Sequence, residues 1–347
     1  DVLLQCFERR CLTWTPSNPD GWQVETGNVG QHYYRWRYGD WPKPPGELLY
    51  IQPHPFDGQC CAEVGGDIHL LAPDSSSNAN LTQSPDGESW PVWSPDGSRI
   101  AYVNRNQGFD VFAMDSDGTN VTRLTLRPDP DYSPHWSPDG THIVLTSQSN
   151  VNQMGTTFVA TVNADGTGYR QLAEGGHPAW SPDGSMITFE AAGQIMVMRA
   201  DGTNLGQLTA GAGFPGPGWT PDGEWITFFR NDDGYQYAIR PDGSDLHRLW
   251  DFPGMIAEWS PTGGRVAVFR DNDLYVMNAD GSHPVNITNG YEMTIEGPVW
   301  SPDGRYLAYL GGNWGSIRIA SVEHPERPHR TIAHTPGPES HLDWSPD

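Results

Sequence analysis

Apolar and polar residues alternate along most of the chain in runs of four to six positions. In one representative stretch, residues 98–103 are followed by a polar turn, by residues 110–114, by the Asp117-Gly118 turn and by residues 121–125. A period of two is typical of half-buried β-strands, whereas an amphipathic helix repeats about every 3.6 residues. Each such stretch predicts three strands, and a fourth leads into it. We therefore expect an all-β fold.

The strand pattern recurs around an anchor that reads Trp-Ser-Pro-Asp-Gly or a close variant. Anchors begin every 39 to 44 residues, close to the roughly 40–45 residues of a four-stranded propeller blade. Proline presets the turn, aspartate bonds its own backbone, and glycine accepts a positive φ. The tryptophan is large enough to fill the gap between neighbouring blades. We interpret the anchors as structural, with the tryptophans Trp93, Trp136, Trp180, Trp219, Trp259, Trp300 and Trp344.

The two ends of the chain complement each other within one repeat. The last anchor begins at Trp344, and the strands that should follow it match residues 46–51, 67–74 and 80–82. Six complete units and this split unit predict a seven-bladed β-propeller over residues 46–347. Its ring would be closed by pairing of the N- and C-terminal segments in one blade, which removes open sheet edges. An open solenoid is the alternative architecture.

Composition and charge narrow the classes of partner. The 347 residues include 40 Gly, 31 Pro and 15 Trp, which suits short strands joined by tight turns and packed by large aromatic side chains. The net charge of −23 disfavours nucleic acid, because phosphate binding needs a basic surface. It favours cationic ligands, or it serves solubility alone. No apolar run approaches the roughly 20 residues that span a bilayer, so we expect no transmembrane segment.

The repeats from Gly46 to Asp347 resemble the PD40 or WD40-like repeats of TolB-type propellers. Such propellers act as periplasmic scaffolds, as gating domains of serine peptidases or as surface modules, so the resemblance implies a fold and leaves the function open. Residues 1–45 differ from the repeat. Their aromatic segments, residues 5–14 and 27–38, are similar to a short module of secreted bacterial cell-surface proteins. We therefore expect an N-terminal module and linker over residues 1–45 and a secreted, periplasmic or cell-surface location.

The four cysteines fall near one end of the chain, at Cys6, Cys11, Cys60 and Cys61. Their spacing matches neither a zinc ribbon nor a haem attachment site. An even number of clustered cysteines fits disulfides in an oxidising compartment. Bonds from Cys6 and Cys11 to the Cys60/Cys61 pair are one option, a strained vicinal bridge is another, and free buried thiols are a third.

The resemblance places function at the mouth of the central channel, where the segments before each anchor converge. Carboxylates, two histidines and several aromatic side chains would meet there. They suit a cationic or aromatic side chain, a basic peptide, or a divalent cation held by His177 and His341 with neighbouring carboxylates. Ordinary solvated loop residues are the alternative interpretation. The candidates are Glu88, Trp90, Asp131, Tyr132, His177, Phe214, Glu258, Glu296, Glu339 and His341.

Common enzyme signatures are missing from the sequence: no Gly-x-Ser-x-Gly elbow, His-Glu-x-x-His pair, phosphate-binding loop or dinucleotide fingerprint occurs. We expect a non-catalytic extracellular binding or scaffold propeller that needs no cofactor and contacts a protein or a cell-envelope component. A metal-dependent carbohydrate-active enzyme using His177 and His341 is one alternative. A structural subunit of an extracellular assembly, self-associating through residues 1–45, is another.

Overall fold

The structure is a computed structural model. It describes residues 3–7, 10–14, 43–53, 66–85, 87–105, 108–149, 155–210, 216–271, 273–288, 297–311, 316–327, 329–334 and 341–346. The chain divides into two compact units, Asp1–Lys43 and Pro44–Asp347.

The first unit contains a β-hairpin, in which β1 (Leu3–Phe7) pairs antiparallel with β2 (Arg10–Trp14). Cys6 lies opposite Cys11 in the backbone register of this hairpin. Cys60 and Cys61 lie outside the described residues. The disulfide pairings therefore stay predictions.

The second unit is built from antiparallel four-stranded sheets. The first is split between the two ends of the chain and is called the split sheet, with strands β3 (Leu48–Pro53), β4 (Gly66–Leu71), β5 (Asn78–Asn80) and, from the C-terminus, β30 (Leu342–Trp344). Sheet 1 contains β6 (Glu88–Trp93), β7 (Arg99–Asn104), β8 (Asp110–Asp115) and β9 (Thr122–Arg123). One backbone pairing, Gly66 with Glu88, joins these two into an eight-stranded sheet.

Five separate four-stranded sheets follow in chain order. Sheet 2 has β10 (Asp131–Trp136), β11 (His142–Ser149), β12 (Thr156–Asn163) and β13 (Arg170–Glu174). Sheet 3 has β14 (Gly176–Trp180), β15 (Met186–Ala191), β16 (Gln194–Arg199) and β17 (Gly206–Gln207). Sheet 4 has β18 (Gly218–Trp219), β19 (Ile226–Arg230), β20 (Tyr235–Ile239) and β21 (His247–Arg248). Sheet 5 has β22 (Met255–Trp259), β23 (Arg265–Arg270), β24 (Asp273–Asn278) and β25 (Val285–Asn286). Sheet 6 has β26 (Val299–Trp300), β27 (Tyr306–Gly311), β28 (Ser316–Ser321) and β29 (Arg330–His334).

The anchor forms the turn between the first and second strands in each of sheets 1 to 6. In sheet 1, Gly97 has a φ of 68°, and its N–H donates to the carbonyl of Ser94 at 2.9 Å. Asp96 accepts hydrogen bonds from the Ser94 hydroxyl at 2.6 Å and from the Ser98 N–H at 3.1 Å. These bonds, that of Ser94 first, lower the pKa of the Asp96 carboxyl. The aspartate is therefore occupied in holding the turn, as expected of a structural motif.

Apolar side chains fill the spaces between consecutive sheets. Between sheets 1 and 2, Val103, Val111 and Leu124 pack with Trp136 and Leu145 in one buried cluster. The indole N–H of an anchor tryptophan also donates a hydrogen bond to the preceding sheet. The acceptor is the backbone carbonyl of the residue that directly precedes the anchor tryptophan of that sheet. The four such bonds among the described residues, all 3.3 Å, are Trp136 to Val92, Trp180 to His135, Trp219 to Ala179 and Trp300 to Glu258.

The chain ends meet in the split sheet. Strand β30 pairs with β3, with Trp344 opposite Leu48, and the Trp344 indole donates to the Pro45 carbonyl at 2.8 Å. Glu47 and Ser345 exchange two further hydrogen bonds, each 2.8 Å long. The split sheet is therefore held together by contacts across nearly the whole length of the chain.

The described residues contain strands, turns and bends and no helix, so the expected all-β class is confirmed. Accordingly, no helix in the described ranges is long and apolar enough to span a bilayer.

Candidate functional site

The first strands of sheets 1, 2 and 3 share a bulge three residues before the anchor tryptophan. Trp90, Ser133 and His177 occupy this position with φ values of 51°, 48° and 52°, and a proline follows each of them. The pairing of each first strand with its second strand shifts register at the same point. Bulges redirect side chains and are frequent beside functional sites.

Side chains from three sheets meet at this level. The Trp90 ring makes edge contacts with Tyr132, at a centroid distance of 5.7 Å, and with His341, at 5.6 Å. Phe109 lies 5.4 Å from Tyr132. We call Trp90, Tyr132, His341 and Phe109 the mouth cluster. Because each of the four is half-buried, the cluster presents part of its aromatic surface to solvent.

One end of the mouth cluster is neutral, although it contains a histidine. Burial, followed by the positive charge of Arg105, lowers the pKa of His341 to about 4. The guanidinium carbon of Arg105 lies 5.8 Å from the centre of the Phe109 ring. The His341 ring is therefore uncharged at neutral pH and acts as an aromatic surface and a hydrogen-bonding group.

Two carboxylates on the first strands form what we call the acidic pair, Glu258 of β22 and Asp343 of β30. Burial and the nearby charge of Asp343 raise the pKa of Glu258 to about 8. Burial raises the pKa of Asp343 to about 7, although the backbone N–H groups of Trp93, at 2.7 Å, and Trp344 hydrogen-bond to it. The Glu258 side chain is nevertheless accessible to solvent and that of Asp343 is half-buried. A carboxyl that water can reach but that is surrounded by protein lies in a narrow space between protein groups.

His135 occupies the same position in sheet 2, directly before the anchor tryptophan. Burial, followed by the charge of His177, lowers the pKa of His135. The His177 side chain is exposed, and its backbone N–H donates to the Thr146 hydroxyl at 3.1 Å. The first strands of sheets 2 and 3 thus bring two imidazole groups within electrostatic range of each other.

The structure brings together only part of the predicted set. Trp90, Tyr132 and His341 meet in the mouth cluster, and Glu258 belongs to the acidic pair. Glu88 is buried instead, accepting hydrogen bonds from Thr82 at 3.0 Å and Asn104 at 3.3 Å. Asp131 is likewise fully buried, because side chains five positions before the tryptophan turn inward. The predicted residues that lie outside the described ranges are Phe214, Glu296 and Glu339.

Sequence reasoning missed Asp343, His135 and Phe109. A signal for the first two was present, since both directly precede an anchor tryptophan. Neighbouring residues of a strand point to opposite faces, so a tryptophan packed between sheets leaves the preceding side chain on the other side. Phe109 carried no such signal, because its place depends on the turn before β8 and on a φ of 60°.

The described side chains can also be searched for groups of metal ligands. Within the described part of the chain, no three His, Cys, Asp or Glu side chains are grouped so that they could hold a metal ion. The His341 ring packs against Trp90, and its Nδ1 atom is buried without a hydrogen-bond partner. What the mouth cluster offers is an aromatic surface, which suits a cation or another aromatic side chain.

The family model described as the TolB beta propeller domain matches residues 62–194 and 176–347. Among curated proteins, a probable dipeptidyl peptidase 4 of Aspergillus flavus is 32% identical over 83 residues, 20% of this chain and 11% of that protein. An uncharacterised protein of Agrobacterium fabrum is 30% identical over 156 residues, 38% of this chain and 53% of that protein. The chain thus spans about half or less of these curated relatives.

Solved structures of different activities share the fold. TolB from Acinetobacter baumannii superposes with a TM-score of 0.54 at 17% identity, covering 83% of this chain and 81% of TolB. An oligogalacturonate lyase in complex with manganese has a TM-score of 0.63 at 15% identity, with coverages of 81% and 92%. A puromycin-hydrolysing peptidase of Mycobacterium tuberculosis has a TM-score of 0.65 at 16% identity, with coverages of 87% and 57%. At these identities the likeness concerns the fold alone. On the family match, which spans most of its length, the chain belongs to the TolB beta-propeller domain family.

Proposed function

We propose that sheets 1 to 6 and the split sheet are the seven blades of one closed ring. Each consecutive pair is supported by a contact: indole bonds connect sheets 1 to 2, 2 to 3, 3 to 4 and 5 to 6, and Trp250 donates to Ala279 at 3.3 Å between sheets 4 and 5. Ser75 donates to Ile332 at 3.2 Å between the split sheet and sheet 6. The bond from Trp93 to Asp343 then joins sheet 1 to the split sheet.

On this ring, we propose that the protein is a non-catalytic binding module whose channel mouth receives a positively charged segment of a protein partner. The observation that carries the proposal is the contact of Trp90 with both Tyr132 and His341. It assembles one half-exposed aromatic surface from three separate sheets. A surface of this kind, built across blades, is better explained by a side chain that inserts there than by exposure to water alone.

The acidic pair supplies the charge that an aromatic surface lacks. A guanidinium or ammonium group over an aromatic face gains about 0.5–2 kcal/mol, depending on its desolvation. Glu258 and Asp343 add negative charge once the pH exceeds their raised pKa values of about 8 and 7. The net charge of −23 attracts a basic segment from a distance. Each of these contributions favours the same class of ligand.

We place this module outside the cytoplasm, in the periplasm, at the cell surface or in the medium of a bacterium. The similarity of residues 1–45 to a module of secreted cell-surface proteins supports this location, as does the likeness of the fold to TolB. Self-association through residues 1–45 remains a separate prediction.

Isothermal titration of the full chain with an arginine-rich peptide with blocked ends tests the binding proposal. Replacing Trp90 by alanine should weaken binding about tenfold, which corresponds to the loss of one good cation–aromatic contact. Trp225→Ala is the matched control, because Trp225 is also half-buried and already contacts Arg240, at 4.2 Å, and His247. Equal affinities of the two variants would refute the proposed site.

The same titration with Mn²⁺ tests the competing enzymatic hypothesis. If the protein binds one equivalent of Mn²⁺ and both His177→Ala and His341→Ala abolish this binding, the result would favour a metal-dependent activity over the binding module. If the heat of Mn²⁺ addition is the same in these variants as in the wild type, the binding module remains the proposed function.

A further inference from the structure

An open pocket lies between sheets 4 and 5, beside the anchor turns of both sheets. Its volume is about 600 Å³, within the range of roughly 300–1,000 Å³ that is usual for small-molecule sites. Two tryptophans line it, Trp225 from sheet 4 and Trp259 from sheet 5. Both are half-buried, so part of each indole surface is available to a bound molecule. We call this space the 4–5 pocket.

The corresponding space between sheets 1 and 2 is bridged by a side chain of the protein itself. Arg99, two residues after the anchor glycine of sheet 1, donates a hydrogen bond to the Ala164 carbonyl of sheet 2 at 2.8 Å. The equivalent residues beside the 4–5 pocket are Trp225 and Ala279. The Ala279 carbonyl accepts instead from the Trp250 indole, at 3.3 Å. Among the described side chains, the bridge from Arg99 therefore has no counterpart between Trp225 and Ala279.

A glycine keeps the 4–5 pocket open on the side of sheet 5. Gly264 directly follows the anchor glycine and lines the pocket. The φ of Gly264 is not in the positive region, and a Cβ at this residue would meet only the Thr262 hydroxyl, at an ordinary distance of 3.7 Å. Neither the backbone nor crowding requires a glycine there, so its effect is to leave space. The other complete anchors have a side chain at this position: Ser98, Thr141, Ser185, Glu224 and Arg305.

Two exposed carboxylates give the 4–5 pocket hydrogen-bond acceptors. Asp222 belongs to the anchor of sheet 4, and Asp280 belongs to the turn after β24. The hydrogen bonds that hold these turns go to one oxygen of each carboxylate, Oδ1. Asp222 accepts from the Thr220 hydroxyl at 2.6 Å and the Glu224 N–H at 3.0 Å, and Asp280 accepts from the Ser282 N–H at 2.9 Å. The second oxygen of each can accept a hydrogen bond from a ligand.

The charges around the 4–5 pocket favour a neutral ligand. The two carboxylates repel an anion, and hydrogen bonds from Ser282 lower the pKa of Asp280, which keeps it ionised at neutral pH. The Arg240 guanidinium carbon lies 4.2 Å from the centre of the Trp225 ring. The ring face that would attract a cation is therefore already occupied.

A pyranose sugar combines the two properties that this lining requires. Its C–H groups form an apolar face that can pack against an indole ring, and its hydroxyls are hydrogen-bond donors for carboxylates. We propose that the 4–5 pocket binds a neutral sugar unit of a glycan, which packs against Trp225 and Trp259 and donates hydrogen bonds to Asp222 and Asp280. The residues of this site are separate from the mouth cluster and the acidic pair, so the proposal does not depend on the function proposed for them.

Saturation-transfer NMR and isothermal titration of the full chain with neutral oligosaccharides test the proposal. The probes are maltohexaose, cellohexaose, mannohexaose and chitohexaose. We expect at least one of them to bind the wild type, and Trp225→Ala should weaken that binding about tenfold, through the loss of one good aromatic contact. The proposal is wrong if none of the four binds, or if the variant binds as tightly as the wild type.

Gly264→Leu tests the pocket without removing any contact of the protein. The added side chain takes up space in the pocket, so the affinity for the sugar should fall at least as far as in Trp225→Ala. Ser98→Leu is the matched control, because it adds the same side chain at the equivalent position of sheet 1, beside the space that Arg99 bridges. Equal affinities of the two leucine variants would overturn the proposal.

The charge of the ligand distinguishes a sugar from other occupants of the pocket. Hexagalacturonate should bind more weakly than the neutral oligosaccharides, because its carboxylates would face Asp222 and Asp280, and Asp280→Asn should reduce this difference. Tighter binding of hexagalacturonate that is lost in Gly264→Leu would contradict the assignment of a neutral sugar. Binding of an arginine-rich peptide that is lost in Gly264→Leu would overturn it in favour of a cation.

Discussion

The acidic pair carries a charge that depends on pH within the neutral range. Glu258 and Asp343, with pKa values of about 8 and 7, are carboxylates only above those values. Since the two groups interact, they lose their protons as a pair and in two steps. At pH 6 the pair is largely neutral, and at pH 8.5 it carries most of its negative charge.

The affinity for an arginine-rich peptide should therefore rise between pH 6 and pH 8.5, because arginine stays charged throughout this range. Isothermal titration at four pH values measures the change, which we expect to be about tenfold. In Asp343→Asn and Glu258→Gln the curve should flatten, whereas Asp280→Asn, which alters an exposed turn, should retain the wild-type slope. An affinity that falls with pH in the wild type would show that the peptide does not contact these carboxyls.

At the scale of single residues, the sequence was enough to predict the position of a side chain where that position follows from the repeat. It was not enough where the position depends on the neighbouring backbone and side chains. Trp90, Tyr132 and His341 could be placed together because each lies three or four positions before an anchor tryptophan. Glu88 and Asp131 occupy an equally regular position, yet they turn inward. Which face a strand residue takes depends on the bulge, and the bulge is a backbone feature that residue types alone do not fix.

Among the strands and turns, the indole bonds between sheets are the feature that the anchor motif did not reveal. The motif accounts for the turn and for a large apolar side chain, but the hydrogen bond also needs a carbonyl at the right distance on the preceding sheet. Trp219 donates to Ala179, whereas the Trp259 indole N–H is buried without a partner. Trp259 also lines an open pocket of about 600 Å³ between sheets 4 and 5.

Phenylalanine at these two positions should have different effects on stability. Trp219→Phe loses a hydrogen bond to the Ala179 carbonyl, while Trp259→Phe removes a donor that was already unsatisfied. Both tryptophans are half-buried, so the loss of apolar contact is similar in the two variants. We expect the free energy of unfolding to fall by about 2 kcal/mol more in Trp219→Phe. Chemical denaturation followed by circular dichroism measures it, and equal losses would show that the indole bonds contribute nothing net.

At the scale of the whole molecule, the regular spacing of the anchors was enough to predict the four-stranded sheets. Repeats of this kind cannot bury their apolar faces alone, so the sequence must provide a neighbour for each of them. The match of residues 46–51 with the strand after an anchor likewise anticipated the pairing of β3 with β30. Residues 1–45 do not follow a repeat, and for them the sequence offered only a resemblance.

The proposed closure of the ring leads to the last prediction, which concerns the C-terminal segment. Residues 341–347 supply β30, Asp343 and Trp344, and they pair with β3 and bond Trp93. Removing them uncovers the edge of β3 and exposes the apolar surface beneath Trp344, so the shortened protein should lose its cooperative unfolding transition and aggregate.

Trp300→Ala serves as the comparison, because it removes an equally buried anchor tryptophan without opening the ring. It should unfold in a single transition at a lower temperature, since a closed ring distributes the loss over all of its interfaces. Differential scanning calorimetry with light scattering separates the two outcomes. A protein without residues 341–347 that keeps the transition of the wild type would mean that the proposed ring does not depend on its closing strand, and the open solenoid would then describe the molecule better.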